Sequence, residues 1–386
     1  NLSVTLSTNA GLVRKREYYP QTGGGTGSAP GRLKAETLQQ GSAGTPVKLR
    51  ELTYASHDTG EQTIYELASE TVYRSDSGGG SQPATTSHSY VWETGGARKI
   101  QETVQPPVVP VGENGTGQTY SVVDRFDMFG NLVWRKDEAA ILAFQAYEVL
   151  TGALRQRILD VDTTRMDPTD VPSGWSTASG AGLHLVNDYE SDGRGRTLVA
   201  LGPPHTVDLD GRAQEVRRAD YTVYLDSRRQ THRARGYLQF DAWRTLGPVR
   251  IEQRDLKGNL TDAVEAPHPE EGRIDSADRY PQGTWTRWKH SIYDDHDRLV
   301  EDRAYFDIPA SDREVDGNPS EGFEGEHYAE TRYDYDAIGR RIGLNAGCGT
   351  ITRTVYDPRG LVLEEWVGTN DAGATPGDPS GGGADP

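Results

Sequence analysis

Three acids at alternate positions run into a glycine in Asp312-Arg313-Glu314-Val315-Asp316-Gly317, the order of oxygen donors that opens a calcium-binding loop. Asp312, Glu314 and Asp316 are therefore candidate calcium ligands. The pattern fails at its twelfth position, where Phe323 stands and Glu324 follows one residue late, so a plain acidic loop competes with the metal site. Other residues able to do chemistry are scattered. Cys348 is the single cysteine, which excludes an intrachain disulfide and a cysteine-based zinc site, and no His stands near it in the sequence. The adjacent acids Glu270-Glu271 and Glu364-Glu365 would work as acid and base only if their surroundings separated their pKa values; a solvated face is the simpler reading. No G-x-S-x-G, H-E-x-x-H or G-K-[ST] phosphate loop occurs. The chain is expected not to be an enzyme, and to take no cofactor other than calcium in the 312–316 loop.

The elements that must position such groups are visible through repetition. Six times an aromatic or polar residue and an acid lead across two residues into a glycine, and the last two copies are Tyr335-Asp336-Ala337-Ile338-Gly339-Arg340 and Tyr356-Asp357-Pro358-Arg359-Gly360-Leu361. A self-similar unit of this kind implies a stacked repeat architecture. In the last copy Asp357 suits the first position of a type I turn, Pro358 presets φ at the second, and Gly360 can enter the left-handed region without a Cβ penalty. The motif is thus a hairpin bend, with Asp127 and Gly130, Asp255 and Gly258, Asp336 and Gly339, and Asp357 and Gly360 as its clearest acid–glycine pairs. Drifted copies follow Asp192, Trp92-Glu93 and Tyr147-Glu148. Asp297 replaces the glycine after Tyr293-Asp294, and Arg229 replaces it after Leu225-Asp226, the least comfortable substitution. Ahead of the bend, Tyr333-Asp334-Tyr335-Asp336 alternates with the period of a strand.

Tyr-Asp followed by x-x-Gly-Arg or x-x-Gly-Leu between alternating strands resembles the RHS or YD-repeat family of large bacterial surface and toxin proteins, related to the animal teneurins. The resemblance covers most of the chain loosely and is specific in its last third and at the Asp127 and Asp255 copies. It implies a ribbon of hairpins wound into a spiral β shell that can be hollow and can enclose a polypeptide. The family's core segment, with its self-cleaving aspartates before a variable toxin, has no match here. Asp357-Pro358-x-Gly360-Leu361 echoes the end of that core and equally fits an ordinary repeat.

The fold class expected is all-β: stacked antiparallel hairpins forming a solenoid-like YD-repeat shell or an extended wall. Residues 1–386 read as one continuous repeat region, clearest over 326–367, cut from a longer polypeptide. Composition agrees, since apolar residues make up only 34% and tyrosine outnumbers phenylalanine by 19 to 6. Ordering the backbone of a hairpin of ~15 residues costs roughly 15–30 kcal/mol, while one buried aromatic returns at most about 4–6, so a repeat must lean on its neighbours. The glycine-rich and proline-rich stretches 23–25, 78–80, 106–117, 171–182 and 309–325 read as insertions at hairpin tips. Lys136 to Leu159 has loose helical spacing, but Thr151-Gly152 interrupts it and Arg155 to Asp162 alternates, which favours strands.

With 58 acids against 41 bases, a net charge of −17 disfavours nucleic acid as a partner, and the basic run Arg228 to Arg235 reads as a solvated strand face. No apolar run is long enough to cross a bilayer. The expected partners are flanking repeats or sister chains, an enclosed polypeptide, or surface glycans, and the expected location is extracellular or at the cell surface. The function expected is a non-catalytic scaffold or encapsulating segment. The alternative is an adhesion module that binds carbohydrate by stacking on Trp285, Trp288 and Trp366, and a third reading is a propeller-type enzyme using scattered carboxylates.

Overall fold

The computed structural model describes residues 8, 10–22, 26–74, 83–209, 211–370 and 373. Its regular structure is almost entirely β. The chain divides by compactness into two units, one ending at Asn187 and the other beginning at Asp188.

The first unit holds β1 (Leu12–Tyr18), β2 (Leu33–Gln40), β3 (Val47–Asp58), β4 (Thr63–Tyr73), β5 (Pro83–Trp92), β6 (Lys99–Gln105), β7 (Val122–Phe126), β8 (Leu132–Lys136), β9 (Leu142–Tyr147) and β10 (Leu154–Leu159). After β11 (Leu185–Ser191), which spans the division, the second unit continues with β12 (Thr197–Leu209), β13 (Arg212–Leu225), β14 (Gln230–Gln239), β15 (Ala242–Arg254), β16 (Leu260–Ala266), β17 (Arg287–Tyr293), β18 (Leu299–Tyr305), β19 (Tyr328–Tyr335), β20 (Arg341–Asn345), β21 (Ile351–Tyr356) and β22 (Val362–Gly368). Within each unit every strand pairs antiparallel with the next, as in β7–β8, β9–β10, β17–β18 and β21–β22. The expected wall of stacked hairpins is what forms. The segment that competed for a helix is the β9–β10 hairpin, because Gly152, at φ 69°, reverses the chain where a helix would have to continue.

Long insertions do more than the expectation gave them. The stretch 309–325 joins the antiparallel pair β18–β19, an insertion at a hairpin tip as expected, but both it and 171–182 lie back on a sheet face. In the first unit Trp134, Leu142, Ile158 and Val161 are buried, and Met166, Val171 and Trp175 pack on them from the segment after β10. The Trp134 indole N–H donates to the Asp170 carbonyl at 3.0 Å, which anchors that cover. In the second unit the core runs across β12–β17, with Val249, Val264 and Ala266 wholly buried. Ile274, Tyr280, Trp285 and Val315 close it from the segments after β16 and β18. A single antiparallel sheet leaves one apolar face wet unless something covers it, so the insertions provide the second layer. The glycine runs 23–25 and 78–80 lie outside the described residues.

Candidate functional site

The repeated bends form a ladder, built most completely at Asp336. Its N–H donates to the Arg340 carbonyl at 2.9 Å and its own carbonyl accepts from Gly339 at 3.0 Å. Oδ1 accepts from the N–H groups of Ile338 (3.1 Å) and Arg340 (2.8 Å), and Oδ2 accepts from Arg340 Nε at 2.6 Å. Gly339 sits at φ 87°, a region that L-residues enter with strain. The Asp carboxylate thus satisfies the donors that a tight reversal leaves without partners.

The arginine after the glycine also reaches forward. Arg340 Nη1 donates to the Asp357 carbonyl of the next bend at 2.9 Å, and its guanidinium lies 4.7 Å from the centre of the Tyr356 ring. Tyr356 reaches back, its hydroxyl donating to the Arg341 carbonyl at 3.1 Å. One step earlier, Arg298 donates to the Asp336 carbonyl at 3.3 Å and lies 4.9 Å from the Tyr335 ring centre, while the Tyr335 hydroxyl donates to the Leu299 carbonyl at 2.8 Å. Each letter of Tyr-Asp-x-x-Gly-Arg therefore has a task. Asp and Gly make the bend, Arg braces the bend ahead, and Tyr ties back to the bend behind.

Variants show which parts are interchangeable. Asn131 and Asn259 replace the arginine and bond Oδ2 of Asp127 and Asp255 at 3.0 Å each; Asn259 also reaches Asp297 Oδ1 at 3.1 Å. The tyrosine tie persists in both settings, from Tyr147 to the Leu132 carbonyl (3.0 Å) and from Tyr293 to the Leu260 carbonyl (3.2 Å). Gly130, Gly258 and Gly360 have φ of 86°, 97° and 88°. Asp297 (62°) and Arg229 (56°) adopt the same left-handed region without being glycine. Asp357 keeps the capping pattern but takes its side-chain partner from Arg359 Nε at 2.9 Å, because Leu361 stands where the other copies carry Asn or Arg.

Hydrogen bonds to the ionised form hold these carboxyls below the usual range: foremost the Arg196 N–H for Asp192 and the Leu361 N–H for Asp357. Bends that depart from the motif escaped the sequence reading, two of them in the hairpins β8–β9 and β20–β21. Asp137 caps Ala139 and Ile141 at 2.9 and 2.8 Å with Ala140 at φ 61°, and Ala346 to Thr350 reverses with no carboxylate at its head. Neither keeps both acid and glycine, and only the alternating strands on either side could have betrayed them.

In the 312–317 loop the acids face arginines. Glu314 accepts from Arg228 Nη1 at 3.0 Å, Arg279 Nη1 at 2.7 Å and the Tyr280 N–H at 3.2 Å, and Asp316 lies 3.6 Å from Arg228. Val315 is buried in the core. Among the described residues no three His, Cys, Asp or Glu side chains gather into a group that could hold a metal ion, Asp312, Glu314 and Asp316 included. The loop is an arginine-clasped lid. Beneath it, burial pushes the His232 imidazole down to about 4.

The tryptophans proposed for sugar stacking separate. Trp285 and Trp288 are buried, so neither can offer a ring face; Trp366 is partly exposed and donates to Glu364 at 3.0 Å. Trp288 and His290 both donate to the buried Asp262 carboxylate, at 2.9 and 2.8 Å. That arrangement orients an imidazole, yet it lies against core aromatics, with Tyr305 stacked on Trp288 at 3.8 Å. Cys348 is exposed at a hairpin tip, and bonding to Thr350 lowers its thiol pKa. No helix among the described residues is long and apolar enough to cross a membrane.

No protein-family model and no curated protein matches the chain. Among solved structures it is similar to a chain of the Photorhabdus luminescens Tc holotoxin pore in a TccC3 mutant form, at 13% identity and a TM-score of 0.45, over 96% of this chain and 17% of that one. It is also similar to the TcdB2-TccC3-TEV crystal structure, at 14% identity and a TM-score of 0.35, over 95% of this chain and 21% of that one. For TcdB2-TccC3 without its hypervariable C-terminal region the figures are 13%, 0.36, 94% and 20%. The chain thus spans about a fifth of the length of these proteins.

Proposed function

We propose that the chain is a non-catalytic scaffold segment of a secreted or cell-surface YD-repeat protein, one stretch of a wall that bears load or encloses a polypeptide. The turn ladder is the observation that supports this reading. Its side chains are spent on neighbouring hairpins: Asp336 on its own bend, Arg340 on the bend ahead, Tyr335 on the bend behind. Such an arrangement makes each hairpin's stability depend on its neighbours and suits a wall that extends by adding copies. Flanking repeats or sister chains are the partners this reading requires.

Pulling the chain from its ends in an optical trap tests the proposal. Successive extensions, each the size of one or two hairpins, are the expected record. A single all-or-none rupture would overturn it, as would glycosidase turnover that disappears on one Asp or Glu replacement.

A further inference from the structure

The second unit carries a concentrated basic surface on a chain of net charge −17. On the sheet face opposite the core, six guanidiniums share three carboxylates. Asp220 serves Arg218 (3.2 Å) and Arg235 (3.8 Å), Glu252 serves Arg233 (3.0 Å), Arg250 (3.3 Å) and Arg254 (3.8 Å), and Glu265 serves Arg287 (3.5 Å). Arg233 and Arg250 stand directly opposite each other on β14 and β15, a like-charge pairing that sheets ordinarily avoid. Arg235 is largely exposed, and Asp220 lies 3.8 Å from it, near the limit of an ion pair.

These arginines flank a concavity. Between Arg250 and Leu246 the β15 register slips, so that Gly247, Pro248 and Val249 oppose Ala234 alone. The bulge opens a groove of about 590 Å³, in which Arg233, Arg235 and Arg250 outnumber the two lining carboxylates, Asp220 and Glu265, and Leu246 and Pro248 form the apolar side. β12 has a similar slip at Gly202-Pro203, but there Arg217 Nε takes the Gly202 carbonyl at 2.7 Å. Bulges that re-aim side chains are frequent beside binding sites.

We propose that this groove binds an acidic glycan. Arg233, Arg235 and Arg250 supply forked donors for sulfate or carboxylate groups, and Leu246 with Pro248 supplies an apolar wall for the C–H face of a sugar ring. The groove lies within a paired sheet, so it offers no free strand edge for an extended peptide. It presents no exposed aromatic ring for a nucleobase to stack on. The site stands apart from the scaffold reading, which survives if the site fails.

Calorimetric titration of the whole chain with a sulfated oligosaccharide, a carboxylated one, a neutral dextran oligosaccharide and single-stranded DNA tests it. Saturable, salt-weakened binding of either acidic sugar is expected, and the two acidic probes distinguish sulfate from carboxylate as the preferred group. Arg235→Ala and Arg250→Ala should each weaken binding about 10-fold, while Arg165→Ala in the first unit should not. Thermal melting of each variant confirms that it is folded. No binding of either acidic sugar, affinity indifferent to Arg235→Ala, or DNA bound as tightly as sugar would each overturn the assignment.

Discussion

Strands β13–β17 and strands β19–β22 belong to the same unit and are held by different means. In the former, Val249, Val264 and Ala266 are wholly buried beneath the segments that carry Trp285 and Val315. In the latter, Val362, Leu363 and Val367 lie exposed, and the cross-repeat bonds of Tyr335, Arg340 and Tyr356 accompany the ladder pairing. Apolar burial therefore dominates one region and turn chemistry the other. The lesson is that the motif specifies where the chain reverses and how bends interlock, while thickness comes from insertions that the motif does not encode.

The largest effect should come from Trp288→Ala. It empties a buried site that stacks on Tyr305 and removes an indole donor from buried Asp262, at a cost of about 3–5 kcal/mol. Urea unfolding should show the loss in β13–β17, and protection of β19–β22 amides that fell equally would contradict the division.

Acid should separate the two regions next. The folded-state pKa of His232 is depressed to about 4 from an ordinary 6.5, so the folded form binds its proton later than the unfolded one. Its contribution is present above pH 6.5 and is lost as pH falls towards 4. The turn carboxyls Asp336 and Asp357 of the other region are also depressed, from an ordinary value near 3.8, and their contribution is lost only as pH falls below that value. The covered region should thus loosen first on acidification, and His232→Gln should flatten the pH 4–6.5 limb. A single transition below pH 4, unchanged by that substitution, would remove the distinction.

Smaller changes belong to the ladder. Tyr335→Phe deletes one hydroxyl donor to the Leu299 carbonyl and should cost about 1 kcal/mol, seen as faster hydrogen exchange confined to β18–β20. Gly339→Ala should cost about 1 kcal/mol through its left-handed φ alone, since a Cβ there meets nothing within 4 Å. Gly339→Asn should recover part of that loss, and equal effects of Ala and Asn would show that the bend is not left-handed in solution.

Much of the bend is legible in the sequence. Asp357 and Gly360 act through neighbours a few residues away, and short-range geometry is nearly a property of the local string. The far half of the same motif was not legible. Which carbonyl receives the Tyr356 hydroxyl, and which ring Arg340 lies over, depend on strand register, which sequence spacing does not state. The acidic loop meets the same limit: alternating carboxylates look alike whether they face a cation or, as Glu314 does, two arginines from distant segments.

Taken alone, the amino-acid order determined an all-β chain of short strands joined by Asp-capped, glycine-bearing reversals, because period-two alternation and turn stereochemistry act over a handful of residues. Tertiary structure alone decided that Trp285, Trp288 and Val315 are core, that the 309–325 insertion is a cover, and that a bulge at Gly247 opens a groove among arginines. Those outcomes rest on contacts between residues far apart in the chain, and only folding sets the distances between such residues.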